Sequence, residues 1–173
     1  KMQGQNDSPL TKEGIKQAAE LSVKLGKEKI HSIYSSDLKR CVETATIIAK
    51  PHNTKPIECQ ELREMNLGLF EGLTKETVTK QFPDFVETRA KDKYNTPYPK
   101  GESYADIKKR ITPFLKNLKE KHEKQNVIIV THRAPSRIII SHYLHLNEKE
   151  TTEPGHPNNC IYKINTENQK IFH

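Results

Sequence analysis

An unbroken apolar stretch near the end of the chain constrains the fold more than any other feature. Residues 127–131 are all apolar or β-branched, and His132 follows them directly. Such a run is typical of a strand buried on both faces, which is the pattern of a parallel sheet. Residues 133–146 continue with helix-like apolar spacing. The sequence therefore predicts a parallel α/β fold in which His132 lies at the carboxyl end of a central strand.

A second junction between a strand and a helix places an arginine at the same kind of position. Apolar residues nearly alternate over residues 30–34, as in a short strand. Ser36 or Asp37 offers an N-cap oxygen for a helix that apolar spacing predicts over residues 38–50. Arg40 would lie in the first turn of this helix. First-turn amides and a guanidinium at this edge of a sheet suit a phosphate, whereas the alternative is a solvated helix charge.

His132 and Arg40 thus occupy equivalent places in the predicted topology. A histidine titrates near neutral pH, and beside helix amides it suits phosphate binding or proton transfer. For a lone histidine, a purely structural role at the strand end is the alternative. Two such residues at the same sheet edge favour a shared anion site.

Residues 61–72 are the third informative stretch. They combine acidic residues at positions 61, 64 and 71 with glycines at positions 68 and 72. This pattern is too irregular for one amphipathic helix and predicts a structured loop. A carboxyl group held there beside a phosphate could protonate a leaving alkoxide, and solvated loop acids are the alternative.

These stretches together resemble the histidine phosphatase superfamily, which includes the cofactor-dependent phosphoglycerate mutases and many small phosphatases. The family signature Ser-Ser-Asp-Leu-x-Arg-x-x-x-Thr-Ala matches residues 35–45, and its loop Leu-x-Glu-x-x-x-Gly-x-x-Glu-Gly matches residues 62–72. Its strand that ends in a second histidine matches at His132. Gly101-Glu102-Ser103 with the following helix, and residues 3–18, match two further family segments.

The resemblance implies both a fold and a site. The fold would be a three-layer α/β/α sandwich with a mostly parallel central sheet, as a single domain over residues 1–173 that lacks the family's first strand. The catalytic residues would be Glu64 and His132. The phosphate-binding residues would be Arg40, His132, Arg133, Gln3 and Gly4. Because the family commonly has glycine at the position of Arg133, this side chain either narrows the pocket or presents a cation to a second anionic group.

The nucleophile of the family is the histidine of an Arg-His-Gly triplet upstream of a Gln-Gly pair. Here the pair is Gln3-Gly4, so the triplet and its strand would precede Lys1. We expect the chain to be part of a longer protein that carries them. A cleaved fragment and a pseudoenzyme are the alternatives.

The implied activity is that of a metal-independent phosphatase that hydrolyses a small phosphomonoester through a phosphohistidine intermediate. Its partner would be a small phosphorylated metabolite, and no cofactor is expected. An inactive phosphate-binding relative and a phosphoglycerate mutase are the alternatives, although mutases of this family are longer. The sequence leaves the substrate and the oligomeric state open, with a homodimer as one alternative.

The charge pattern bears on macromolecular partners. The net charge is +7, but the lysines are interleaved with acidic residues and the chain has no Trp. Because no basic groove with interleaved aromatic residues is evident, we expect no nucleic-acid partner. No apolar run approaches the roughly 20 residues that span a bilayer, so we expect no membrane partner.

The thiols and imidazoles indicate the compartment and exclude metals. Cys41, Cys59 and Cys160 are odd in number and form no Cys-x-x-Cys pair, which argues against a disulfide framework or a zinc site. Reduced thiols fit a cytoplasmic protein. The histidines show no metal-ligand spacing, so we expect no metal.

The remaining segments predict further elements. Thr11 is predicted to cap a helix that runs to about residue 27, with a buried stripe of Ile15, Ala18, Ala19, Leu21 and Leu25. A strand is predicted over 57–59, a helix over 74–82 stopped by Pro83, and a loop over 92–101 that could form part of a lid. A helix over 104–124, kinked or broken at Pro113, and a final strand over 160–164 paired with 171–172 complete the predicted elements.

Overall fold

The computed structural model describes residues 1–153, 161–165 and 170–172. In this part of the chain the elements follow in the order α1 (Lys12–Leu25), β1 (Ser32–Ser36), α2 (Lys39–Ala49), β2 (Ile57–Cys59), α3 (Lys75–Gln81), α4 (Pro83–Lys91), α5 (Tyr104–Lys121), β3 (Val127–Val130), α6 (Arg133–Leu144), α7 (Glu148–Thr152), β4 (Lys163–Asn165) and β5 (Lys170–Phe172).

The chain divides into two compact units. We call Asp7–Glu64 together with Pro113–His132 the sheet unit. Lys1–Asn6, Met65–Thr112 and the described residues from Arg133 onward form the helical unit. That the whole chain is one domain stays a prediction.

The sheet unit contains a parallel three-stranded sheet in the order β2-β1-β3. Ser36, the last residue of β1, pairs with Cys59, and Ser35 pairs with Val130, the last residue of β3. The carboxyl ends of all three strands therefore meet at one edge. This arrangement confirms the predicted α/β class and its parallel sheet.

The core of the sheet unit lies between β1 and the helices that follow and precede it. Ile33 on β1 and Ala45, Ile48 and Ala49 on α2 are buried, with at most 3% exposure. Several half-buried apolar side chains pack against this cluster, namely Leu21, Leu25, Ile30, Ile128 and Val130. Burial of apolar surface in such a cluster is the main term that favours folding.

The buried stripe predicted for α1 is only partly correct. Ala18 is buried and Leu21 and Leu25 are half-buried, as expected, but Ala19 and Ile15 are exposed. The helix covers the core with one narrow face, and apolar residues beside that face remain at the surface. Single exposed apolar residues of this kind are common in soluble proteins.

The two predicted strands of the sheet differ in burial. Ile33 and Tyr34 of β1 are 0% and 6% exposed, whereas all four residues of β3 are only half-buried. The prediction of full burial on both faces was therefore wrong for β3. The reason is its place in the sheet, since β1 lies between two neighbours and β3 is an end strand among the described residues.

Two prolines lie where the sequence predicted that a helix ends or is distorted, and the helix that begins at one of them was not predicted. Pro83 ends the segment after α3 as predicted, but it also begins α4 at a first-turn position, where proline is well tolerated. Pro113 lies inside α5, which continues from Tyr104 to Lys121 without a break.

The end of the chain forms a separate two-stranded sheet in the helical unit. β4 and β5 are antiparallel, with Ile164 opposite Ile171. This pairing was predicted, although β4 begins at Lys163, and Cys160 lies outside the described residues.

Within residues 1–153, 161–165 and 170–172, no helix has both the length and the apolar character that crossing a membrane requires. Among the same residues, no cluster of three or more His, Cys, Asp or Glu side chains could hold a metal ion.

Candidate active site

Arg40 is the second residue of α2, in its first turn, as the sequence predicted. The predicted capping was wrong, because the N-cap residue is Leu38, which offers no side-chain cap. Instead, the Lys39 amide donates to both carboxylate oxygens of Asp7, at 2.9 and 3.1 Å. A carboxylate at this end of a helix stabilises it by meeting the unpaired amides and the positive end of the helix dipole.

Arg40 and His132 are in direct contact at the carboxyl edge of the sheet. Nε of Arg40 donates to Nδ1 of His132 at 3.2 Å. A guanidinium has no acceptor, so Nδ1 must use its lone pair and the ring proton resides on Nε2. Nε2 lies 2.9 Å from Oγ of Ser36 and donates to it. His132 is thus held as a neutral imidazole with a defined tautomer.

Cys41 lies against the same imidazole, and the sequence analysis gave it no role. Its Sγ is 3.4 Å from Nε2 and 3.7 Å from Nδ1 of His132. Burial raises the pKa of the Cys41 thiol, Arg40 lowers it, and the charges of Glu64 and Asp7 raise it, so that it lies at about 12. The thiol is therefore neutral at physiological pH. Its position next to Arg40 in the sequence was the signal that could have revealed it.

The same charges show that Glu64 belongs to this group of residues. Arg40 and Glu64 act on the Cys41 thiol with opposite sign, which places both side chains near it. Glu64 is half-buried and lies in a loop without regular secondary structure. The sheet unit thus brings together three of the predicted site residues, namely Arg40, His132 and Glu64.

Two contacts hold the residues that precede Glu64. The Thr131 hydroxyl donates to the carbonyl oxygen of Leu62 at 2.8 Å. The Arg63 guanidinium donates to both carboxylate oxygens of Asp37, with Nε at 2.7 Å and a terminal nitrogen at 2.5 Å. The hydrogen bonds from Arg63 and the positive charge of its guanidinium hold the pKa of Asp37 below its usual value.

The other predicted site residues, Gln3, Gly4 and Arg133, belong to the helical unit. Gly4 has φ +58°, and a Cβ there would lie 2.2 Å from Oε1 of Glu71. That same Oε1 accepts the Gln5 amide at 2.7 Å. Gly4 is therefore required by its backbone conformation and by the close carboxylate. Gln3 and Arg133 are exposed, and the phosphate-binding roles of all three residues stay predictions.

A group of cations surrounds Lys93 in the helical unit. Desolvation lowers the pKa of Lys93, and the charges of Arg137, Arg89 and Arg133 lower it further. The Lys93 ammonium donates to the Thr152 carbonyl at 3.1 Å. Arg137 is 2% exposed and donates to the Thr152 carbonyl at 2.9 Å, while its Nε has no hydrogen-bond partner within the described residues.

The geometry of the sheet unit suits anion binding with proton transfer. A guanidinium presents several N–H donors in a plane, which matches the oxygens of a phosphate. An imidazole with a fixed tautomer can donate a hydrogen bond, and a nearby carboxyl group can transfer a proton.

Known proteins that are similar to this chain include several phosphatases. A profile of the family described as "Histidine phosphatase superfamily (branch 1)" matches residues 1–172. Phosphoserine phosphatase 1 of Hydrogenobacter thermophilus is 33% identical over 135 residues, which is 78% of this chain and 64% of that protein. The fructose-2,6-bisphosphatase of Saccharomyces cerevisiae is 30% identical over 161 residues, which is 91% of this chain and 34% of that protein. The chain thus spans less than two thirds of the length of these relatives.

Solved structures with a similar fold also include a phosphatase. The native structure of a mycobacterial glucosyl-3-phosphoglycerate phosphatase superposes with a TM-score of 0.80 at 26% identity, over 87% of this chain and 74% of that one. Bacillus stearothermophilus YhfR superposes with a TM-score of 0.85 at 24% identity, over 95% of this chain and 83% of that one. At 24% identity, the similarity to YhfR shows a shared fold and nothing further.

Proposed function

The chain belongs to the histidine phosphatase superfamily, and we propose that its protein hydrolyses a small phosphomonoester through a phosphohistidine. The observation that carries the proposal is the contact between Arg40 and His132 at the carboxyl edge of the sheet, with Glu64 close by. The names of the relatives, which are phosphatases, support the same reaction class.

In the proposed mechanism, Arg40 and His132 bind the equatorial oxygens of the phosphoryl group. The Arg40 N–H that now reaches His132 would turn to a phosphate oxygen. Donors fixed in this way stabilise the negative charge that develops on the phosphoryl oxygens in the transition state. The guanidinium supplies the compensating positive charge without a metal.

The bonds change in two steps. The nitrogen lone pair of the nucleophilic histidine, which the family resemblance puts upstream of Lys1, forms a bond to phosphorus as the bond to the leaving oxygen breaks. Glu64 gives that oxygen a proton. Water then attacks phosphorus, the N–P bond breaks and Glu64 accepts a proton from the water.

The direct test is to trap the intermediate in the complete protein. After incubation with a phosphomonoester and acid-free denaturation, we expect phosphate bound to a histidine and lost on mild acid treatment. Intact mass of the protein shows whether the upstream triplet is present. Phosphate-ligand binding without a phosphohistidine would overturn the hydrolase proposal and support the inactive relative. Transfer that depends on a bisphosphoglycerate primer would support a mutase.

Replacement of Glu64 tests the proton donor. In Glu64→Gln we expect turnover of alkyl phosphates to fall about 10²-fold, because the poor leaving group needs a proton. Turnover of p-nitrophenyl phosphate should fall much less, because p-nitrophenolate leaves without protonation. Steady-state kinetics with both substrates measures the ratio. Equal losses would remove Glu64 from the acid role.

We further propose that the substrate carries a second anionic group, which Arg133 binds. Arg133 follows His132 directly in the sequence and is one of the cations that lower the pKa of Lys93. The name of one relative, fructose-2,6-bisphosphatase, specifies a substrate with two phosphates. A cluster of like charges is costly by itself, and an anion would relieve that repulsion.

Arg133→Gly separates this role from a steric one. If Arg133 binds an anion, kcat/KM for fructose 2,6-bisphosphate should fall about 10-fold, which corresponds to one charge-assisted hydrogen bond. Activity on p-nitrophenyl phosphate should change little. Arg133→Lys is the matched control that keeps the charge and part of the effect. A gain in activity with bulky substrates would instead show that the side chain only narrows the pocket.

A further inference from the structure

Glu64 needs a fixed position to transfer a proton, yet its own loop supplies no regular structure to hold it. Residues 63–67 have no helix or strand assignment. Proton transfer requires the carboxyl group within hydrogen-bond reach of the leaving oxygen, and a small displacement lowers the rate strongly. The contacts that fix the loop therefore affect the rate of proton transfer by Glu64.

The first contact joins the loop to the strand that ends in His132. Leu62 is 0% exposed, and its carbonyl oxygen accepts the Thr131 hydroxyl at 2.8 Å. Thr131 is the residue directly before His132. The backbone two residues before Glu64 is thereby fixed relative to the imidazole.

The second contact joins the loop to the turn that precedes Arg40. Arg63 and Asp37 form two parallel hydrogen bonds between planar groups, at 2.7 and 2.5 Å. A bidentate pair of this kind fixes orientation as well as distance. Asp37 directly follows β1 and lies three residues before Arg40.

The backbone at Arg63 transmits this constraint to Glu64. Arg63 has φ −57° and ψ 152°, an extended conformation in which consecutive side chains point in different, fixed directions. When both the Leu62 carbonyl and the Arg63 side chain are held, the backbone that carries the Glu64 side chain is held as well.

We propose that the Asp37–Arg63 pair is a positioning element that fixes Glu64 relative to Arg40 and His132. This inference rests on the proposed function, because it assigns the pair to the proton-transfer step. The pair neutralises itself, so its effect comes through geometry rather than through net charge. The Arg63 side chain is 35% exposed and that of Asp37 is 16% exposed, and a pair at such a surface contributes little to stability by itself.

The test compares the turnover of substrates that have poor leaving groups with the turnover of a substrate that has a good one. In the complete protein, Arg63→Ala should lower kcat for alkyl phosphates about 10-fold and kcat for p-nitrophenyl phosphate less than about 2-fold, a smaller version of the Glu64→Gln effect. Inhibition by inorganic phosphate should be unchanged, because Arg40 and His132 remain. Arg63→Lys should recover only part of the loss, since an ammonium cannot form the bidentate pair.

Arg110→Ala is the matched control. Arg110 forms a bidentate pair with Glu102 at 2.8 and 3.2 Å, with side chains 20% and 21% exposed, but in the helical unit. Its removal should leave the ratio of alkyl to p-nitrophenyl turnover unchanged. Asp37→Asn, which keeps the shape of the side chain, replaces Arg63→Ala if that variant does not fold, and the same shift in the ratio is expected.

The possible outcomes separate the inference from the function on which it rests. A shifted ratio in Glu64→Gln and a normal ratio in the Arg63 and Asp37 variants would overturn the positioning role alone. A normal ratio in Glu64→Gln would overturn the acid role of Glu64, and the positioning role with it. A shift in Arg110→Ala equal to that in Arg63→Ala would show a general loss of rigidity and would also overturn the inference.

Discussion

The sheet unit and the helical unit use the same residue types in different ways. In the helical unit, Arg110 is paired with the carboxylate of Glu102, and the Glu71 carboxylate accepts backbone amides. In the sheet unit, Arg40 donates to a neutral ring nitrogen of His132. Contact with a neutral ring nitrogen does not offset the positive charge of a guanidinium, whereas contact with a carboxylate does. Whether an arginine serves the reaction or the structure therefore depends on its partner and not on the residue type.

The largest expected effect tests this difference directly. Arg40→Ala in the complete protein should lower kcat about 10²–10³-fold, because a key donor to the transition state is lost. The free energy of unfolding should change little. Arg110→Ala should do the reverse, with nearly normal kcat and a loss of about 1 kcal/mol, since its removal leaves the Glu102 carboxylate without this partner. Kinetics and denaturation of both variants measure the comparison, and equal kinetic losses would break it.

Gly4 offers an intermediate effect in the helical unit. Gly4→Ala places a Cβ at φ +58° and 2.2 Å from the Glu71 carboxylate. The left-handed conformation alone costs about 1–2 kcal/mol for a residue with a side chain. We expect a loss of unfolding free energy of at least that size, measured by urea denaturation. A variant as stable as the parent protein would show that the segment shifts freely, against the structural role assigned to Glu71.

The smallest effect concerns pH and compares one aspartate from each unit. Arg63 holds the pKa of Asp37 below its usual value, and hydrogen bonds from Ser103 and Lys109 lower that of Asp106 to about 2. A carboxyl group with a depressed folded pKa stabilises the protein above its unfolded pKa of about 3.9 and loses that contribution as pH falls through the folded pKa. Stability should therefore decline below about pH 4.

Replacing each aspartate by asparagine shows how much of this loss of stability each residue causes. Asp106→Asn and Asp37→Asn should each flatten the acid limb of the curve of unfolding free energy against pH. Denaturation at a series of pH values between neutral and strongly acidic measures the slopes. An unchanged slope in either variant would contradict the proton linkage of that residue.

Local patterns predicted much of the fold and part of the candidate site. The junctions that carry Arg40 and His132 were identified because hydrophobic periodicity is local, and strand ends follow from it. The Thr11 cap of α1 was identified for the same reason, and its Oγ1 accepts the Gly14 amide at 3.1 Å. The loop with Glu64 was predicted from its irregular spacing of acids and glycines, while the catalytic role of Glu64 stays a prediction.

Contacts between distant residues were not predictable in this way. The cap of α2 was assigned to Ser36 or Asp37, whereas Asp7, 32 positions away, supplies it. The Asp37–Arg63 pair joins residues 26 positions apart. Neither contact leaves a local signature, because it depends on how a loop returns to the sheet.

The sequence by itself determined a parallel α/β chain and placed Arg40 and His132 at one edge of its sheet. Periodicity and strand order suffice for this, because the carboxyl ends of parallel strands must meet at the same edge. Only the tertiary structure decided the partners of these residues: the neutral nitrogen that Arg40 contacts, the thiol against His132 and the pair beside Glu64. Hydrogen bonds between distant side chains need distances and angles that no local pattern encodes.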